Sequence, residues 1–135
     1  MRALLVLVVL AACRDAGPFD RARMDAVVKA VRPRVTAPHT LYMFKLAPSL
    51  DAATLGPAPA ILGRGDCRGL VRAKMDDAHH LAVSIETVDQ GHVGEAGFMY
   101  TDPGFAQADL EGAARDSQKE SRIDDRWLSW DFDLD

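Results

Sequence analysis

The residue types best suited to chemistry lie in one glycine-rich stretch, residues 89–97. Glycine occupies every third position there, with a histidine and a glutamate in between: Gly91, His92, Gly94, Glu95 and Gly97. Glycine permits positive φ angles and close approach of the backbone to a ligand, so such a loop could hold an imidazole and a carboxylate at a binding site. The spacing matches neither a P-loop nor a dinucleotide-binding motif. A hairpin connection that needs permissive residues is the alternative explanation.

Cys67 is the second candidate for chemistry. If the last four strands form a simple meander, one end of the sheet brings together Cys67, His92, Glu95, Asp133 and Asp135. A cysteine and a histidine with a carboxylate form the skeleton of nucleophilic catalysis, and histidine with carboxylates suits a divalent metal. The alternative is that Cys67 is a small buried hydrophobic residue.

A further cluster of polar residues precedes one predicted strand and consists of Asp76, Asp77, His79 and His80. The strand that follows, 81–88, would be roughly 26 Å long at 3.3 Å per residue. This length separates the cluster from His92, so the two groups are not expected to share a metal. The cluster alone is expected to be a solvated turn.

The elements that position these residues begin with an amphipathic helix. Its apolar side chains, Met24, Val27, Val28 and Val31, follow the helical spacing i, i+3, i+4, i+7. Asp20 is a suitable N-cap, and Pro33 ends the helix shortly after Val31. One face of this helix is expected to pack on a sheet.

Apolar runs and alternating patterns predict the strands, at 40–46, 70–75, 81–86, 97–101 and 128–134. The pair 70–75 and 81–86 is expected to form a hairpin with one wet face. In the last strand, Leu128 and Trp130 point to one face, whereas Asp131 and Asp133 point to the other. Short or poorly packed helices are predicted at 49–56, with Ser49 as cap, and at 106–122. The fold class is therefore α+β: an N-terminal amphipathic helix packed on a four- to five-stranded, mainly antiparallel sheet.

The first thirteen residues have the pattern of a targeting signal. Arg2 gives a positive start, residues 3–12 form an unbroken apolar run, and the stretch ends in Leu10-Ala11-Ala12-Cys13. This apolar run spans about 15 Å as a helix, half of a hydrocarbon core of roughly 30 Å. The length excludes a transmembrane anchor and fits a secretory signal peptide. The alternative is an apolar strand or buried helix with a chance cysteine.

The segment resembles a bacterial lipoprotein signal peptide, in which a lipobox such as Leu-Ala-Ala-Cys directs acylation of the cysteine and cleavage before it. The resemblance implies a signal peptide at 1–12, lipidation of Cys13, a tether at 13–18 and one α+β domain at 19–135. Attachment of more than one acyl chain gives stable membrane anchoring. Arg14 resembles the residue found after the cysteine in lipoproteins of the outer membrane of Gram-negative bacteria. The expected location is the bacterial cell envelope.

Composition narrows the function further. A net charge of −4 argues against a nucleic-acid partner, which is normally met by a basic surface. The sequence therefore predicts a lipid-anchored envelope protein whose small, non-enzymatic domain binds a protein or another envelope component, with no cofactor. One alternative is an envelope enzyme or divalent-metal protein that uses residues 89–97. Another is an inhibitor or immunity-type protein that presents Asp131 and Asp133 to a basic partner.

Overall fold

The computed structural model describes residues 18–47, 49–58, 69–89, 94–106 and 118–133. Within these ranges the chain forms one α-helix and seven strands, with short 3₁₀ helices at Arg32–Arg34 and Ala52–Thr54. The helix is α1 (Arg21–Val31). The strands are β1 (Tyr42–Lys45), β2 (Gly56–Pro57), β3 (Leu70–Met75), β4 (Leu81–Asp89), β5 (Gly94–Thr101), β6 (Lys119–Arg122) and β7 (Trp127–Asp133).

The strands form a single antiparallel sheet in the order β2-β1-β3-β4-β5-β7-β6. The α+β class is confirmed, but the sheet has seven strands and not the four or five expected. The two strands that the sequence did not predict, β2 and β6, are both short and lie at the two edges. Short strands carry little periodic signal, which is why the pattern missed them.

The predicted helix is confirmed at both ends. The Asp20 carboxylate accepts a hydrogen bond from the Arg23 N–H at 3.2 Å, as an N-cap should. The four predicted apolar residues are all buried, and the 3₁₀ turn that contains Pro33 follows directly after Val31. The exposed side of α1 carries its charged residues, because the sheet occupies the apolar side.

The main core lies between α1 and one face of the sheet. Alternate residues of the central strands supply it, including Val71, Val83, Ile85, Tyr100 and Trp127. The Phe19 ring, just before α1, lies 5.1 Å from that of Phe98 and 5.3 Å from that of Trp127. Phe19 is therefore part of the packed domain, next to the main core.

The opposite face of the sheet is buried along β4, which corrects the prediction of a wet face there. The hairpin of β3 and β4 is present, but Ala82, Ser84 and Glu86, on its supposedly wet face, are at most 3% exposed. In β7, Leu128 and Trp130 do share a face, where they form a second cluster with Met99. The main core, however, receives Trp127 from the other face. The polar residues Ser84 and Glu86 led to the prediction of a solvated face, but both are buried.

Several element boundaries differ from the predictions, most of all at the following three places. β6, Lys119–Arg122, replaces the end of the helix predicted at 106–122; residues 107–117 lie outside the described ranges. Pairing with β7 decides the conformation of this polar segment, since strand propensity depends on neighbours. The helix predicted at 49–56 is a single 3₁₀ turn whose cap is Asp51 and not Ser49. β5 begins at Gly94, three residues earlier than expected.

Gly97 has a structural role inside β5. A Cβ atom at this position would lie 2.0 Å from the carbonyl oxygen of Ile85 and 2.9 Å from a ring carbon of Trp130. Only glycine leaves room for both the backbone of β4 and the indole. This close approach explains one glycine of the 89–97 stretch without a ligand.

We expect Gly97→Ala to lower the free energy of unfolding by about 3 kcal/mol, because backbone and indole must both move. Gly56→Ala is the matched control: the nearest atom to its added Cβ is 4.0 Å away. Urea denaturation of the two variants measures the difference. Equal stability of both variants would contradict the packing role of Gly97.

Candidate functional site

The Asp102 carboxylate, which follows β5, joins three parts of the fold. The Arg32 guanidinium donates two hydrogen bonds to it, both 2.8 Å long. The Tyr100 hydroxyl donates at 2.7 Å, and the backbone N–H of Leu81 donates at 2.8 Å. The end of α1, the start of β4 and the end of β5 are thereby held together at one end of the sheet.

These contacts control the ionisation of Asp102. Burial acts to raise the pKa of its carboxyl, but the hydrogen bonds from Arg32, Tyr100 and Leu81 outweigh burial and hold the pKa at about 2. Burial and the hydrogen bond to Asp102 raise the pKa of the Tyr100 hydroxyl above its usual value. Both groups keep one protonation state near neutral pH, so Asp102 remains an anion that holds these three segments together.

Asp76 has a comparable role in the turn between β3 and β4. It is 3% exposed and accepts hydrogen bonds from the backbone N–H groups of Ala78, His80 and Ala106, and its other contact is with the His80 ring. Burial acts to raise its pKa, but these bonds hold the pKa below the usual value. The prediction of a solvated turn is therefore wrong at Asp76, because its side chain closes the turn from inside.

The other polar residues of this turn remain at the surface. The exposed Asp77 carboxylate lies 2.7 Å from Nε2 of His39. His39 and His79 have φ angles of 61° and 66°, in the left-handed region. No group of three or more potential metal ligands occurs within the described ranges.

A third carboxylate, Asp124, organises the turn between β6 and β7. It accepts hydrogen bonds from the backbone N–H groups of Arg126 and Trp127, each 2.8 Å long, and forms an ion pair with Arg21 of α1. The two backbone hydrogen bonds lower its pKa, and Arg21 adds to this effect. The Trp127 indole N–H donates to Asp25 at 2.9 Å, so this turn has a second link to α1.

These contacts enclose the helix–turn groove, a depression of about 650 Å³ between the exposed side of α1 and the β6–β7 turn. Its volume lies within the usual range for ligand sites. The lining residues are Arg21, Asp25, Val28, Lys29, Arg32, Pro33, Tyr100, Asp125, Arg126 and Trp127. Val28, Tyr100 and Trp127 are buried and close its floor. Hydrogen bonds fix the floor and both walls, so the groove is formed before any ligand arrives.

The charges on the groove fall into two groups. Arg21, Arg32 and Asp25 are engaged with Asp124, Asp102 and the Trp127 indole, respectively. The side chains of Lys29, Asp125 and Arg126 make no ion pair with any other described residue. The groove therefore presents two unengaged cations, one on each wall, and one unengaged carboxylate.

The candidate residues from the sequence lie elsewhere or outside the described ranges. Gly94, Glu95 and Gly97 belong to β5, where Glu95 is half-buried and pairs in register with Asp89 and Phe132. This end of β5 is opposite to the end that carries Tyr100 and the groove. The positions that lie outside the described ranges are Cys13, Cys67, Gly91, His92 and Asp135.

Of the residues predicted to gather at this sheet end, only Glu95 and Asp133 lie within the described ranges. The backbone of Asp133 pairs with that of Gly94, next to Glu95, although β7 reaches β5 only after β6. Asp131, the other residue of the acidic face, is exposed. β4 also separates the 76–80 turn from the 89–97 stretch, as the strand length predicted.

The groove was not predicted from the sequence. The charged side of α1 was visible as the polar half of an amphipathic pattern, but nothing indicated that it faces another wall. The Asp124-Asp125-Arg126 turn carries the only local signal, since an aspartate that starts a turn commonly accepts hydrogen bonds from the N–H groups that follow.

Comparison of the chain with protein-family models, with curated proteins and with solved structures found no match. In the part of the chain that the structure describes, no helix has the length and apolar character needed to span a membrane.

We expect Asp102→Asn to lower the free energy of unfolding at pH 7 by about 2 kcal/mol, because the half-exposed Arg32 guanidinium loses its counter-charge and the Tyr100 hydroxyl loses a charged acceptor. The folded pKa of about 2 lies below the ordinary value of 3.8. The ionised Asp102 carboxylate therefore contributes fully to the free energy of unfolding above pH 3.8, and this contribution is lost as the pH falls through 2. Urea denaturation at a series of pH values should show the two proteins converging across this window.

Asp125→Asn is the matched control for this substitution, because it removes the same charge from an exposed residue. Its effect on stability should stay within about 0.5 kcal/mol at pH 7. A constant difference between the wild type and Asp102→Asn from pH 5 to pH 2 would contradict the assignment of the low pKa to Asp102.

Proposed function

We propose that this protein is a lipid-anchored protein of the bacterial cell envelope whose α+β domain is a non-catalytic binding module. The lipobox at Cys13 is the single observation that carries the envelope location. The proposed binding surface is the helix–turn groove, whose walls are fixed in advance by internal hydrogen bonds. Preorganisation of this kind lowers the entropic cost of binding.

The position of Phe19 supports the link between anchor and groove. Its ring packs against Trp127 in the groove floor, and the Arg21 guanidinium lies 5.5 Å from the centre of the same ring. Cys13 precedes Phe19 by six residues, so the chain between them reaches at most about 20 Å. A lipid on Cys13 would keep the groove close to the membrane surface. A partner would then itself be bound to, or close to, that membrane.

The ionisable groups at the groove also favour binding over catalysis. Asp102 and Tyr100 have pKa values displaced away from neutrality, whereas a general acid or base works best with a pKa near the operating pH. Their hydrogen bonds hold the wall residue Arg32 in place. These groups build the surface, and the unengaged charges beside them are available for a partner.

The first test is the intact mass of the protein extracted from membranes of a bacterial expression host. We expect a product that lacks residues 1–12 and is heavier than the bare chain by one diacylglyceryl group and one acyl chain. The Cys13→Ser variant should lose this added mass and leave the membrane fraction. Cys67→Ser is the matched control and should keep the lipid. An unmodified, full-length product in the soluble fraction would overturn the proposal.

A further inference from the structure

We propose that the helix–turn groove binds an acidic segment of a partner protein, with carboxylates of that segment placed between Lys29 and Arg126. This inference rests on the proposed binding function and specifies the chemistry of the ligand. It depends on the groove alone and does not require the lipid on Cys13.

The argument begins with the two walls. Lys29 lies on the exposed side of α1, and Arg126 lies on the β6–β7 turn; both line the groove. Neither has a carboxylate partner among the described residues, in contrast to Arg21 and Arg32. A carboxylate that enters the groove can therefore pair with either cation without breaking an existing ion pair.

The position of Arg126 is fixed from both sides. Its backbone N–H donates to Asp124, and its carbonyl oxygen accepts a hydrogen bond from the Thr101 N–H at 3.0 Å. These two hydrogen bonds fix the backbone of Arg126, and its side chain lines the groove beside Tyr100 and Trp127.

The remaining surface of the groove suits a chain with apolar side chains among its acids. Pro33 is exposed, and it lines the groove together with the apolar side chains of Val28 and Trp127. Asp125 is the one unengaged carboxylate on the lining, and it opposes an acidic ligand. Removing the charge of Asp125 should therefore strengthen binding of an acidic ligand, whereas reversing the charge of Lys29 or Arg126 should weaken it.

The probe is an acetylated and amidated decapeptide of alternating glutamate and leucine, with glutamine replacing glutamate in the control peptide. The protein is the chain from residue 13 onward with Cys13→Ser, which keeps every described residue. The readout is the two indole N–H resonances. Trp127 lines the groove, whereas Trp130 belongs to the cluster on the opposite face of the sheet and serves as an internal reference.

We expect the glutamate peptide to shift the Trp127 resonance and leave that of Trp130 in place. Lys29→Glu and Arg126→Glu should each weaken binding about fivefold, as expected for loss of one partly exposed charge pair. Asp125→Asn should strengthen it, and added salt should weaken it. Lys119→Glu, the same charge change on exposed β6, is the matched control and should leave the affinity unchanged.

Four outcomes would overturn the proposal. They are equal binding of the glutamine peptide, a shift confined to Trp130, equal loss of affinity in Lys119→Glu, and binding to phosphatidylglycerol vesicles without binding of the peptide. The last result would identify the cations as a lipid-facing surface. None of these results depends on the mass of the extracted protein, so failure of the ligand assignment is distinguishable from failure of the lipid anchor.

Discussion

One half-buried carboxylate holds the end of this domain together. Asp102 accepts hydrogen bonds from the nearby Tyr100 hydroxyl and from two groups that are distant in sequence, the Arg32 guanidinium and the Leu81 N–H. Each donor would cost free energy if it were buried without an acceptor. The negative charge of Asp102 is stabilised because both carboxylate oxygens accept hydrogen bonds. The angle of α1 on the sheet, and with it the groove, depends on this contact.

An aspartate side chain closes two further turns within the described ranges in the same way. Asp76 closes the β3–β4 turn and reaches Ala106, and Asp124 closes the β6–β7 turn and reaches Arg21. Each aspartate satisfies neighbouring backbone N–H groups and adds one contact with a distant segment. Three of the acidic side chains, Asp76, Asp102 and Asp124, thus stabilise the fold through backbone N–H groups.

Local sequence patterns predicted which segments form helices and strands better than they predicted which side chains of those segments are buried. The spacing of Met24, Val27, Val28 and Val31 predicted α1, and alternation around Val83 predicted the central hairpin, because both patterns follow from packing on a single core. The burial of Glu86 was not predictable in this way, since a charged residue in an alternating strand normally faces water. The β6 segment has no apolar periodicity, and only its partner β7 makes it a strand.

At the candidate site, too, local sequence patterns did not show contacts between segments that are distant in sequence. The glycines of 89–97 drew attention because their spacing is visible in the sequence, yet the packing of Gly97 against Ile85 and Trp130 gives that position a purely structural reason. Residue spacing does not reveal the groove, because Asp25 and Trp127, whose hydrogen bond joins its two walls, are separated by 102 positions. In the sequence, Lys29 and Arg32 are equivalent cations on one helix face. The fold distinguishes them, since Arg32 forms an ion pair with Asp102 whereas Lys29 forms none with any described residue.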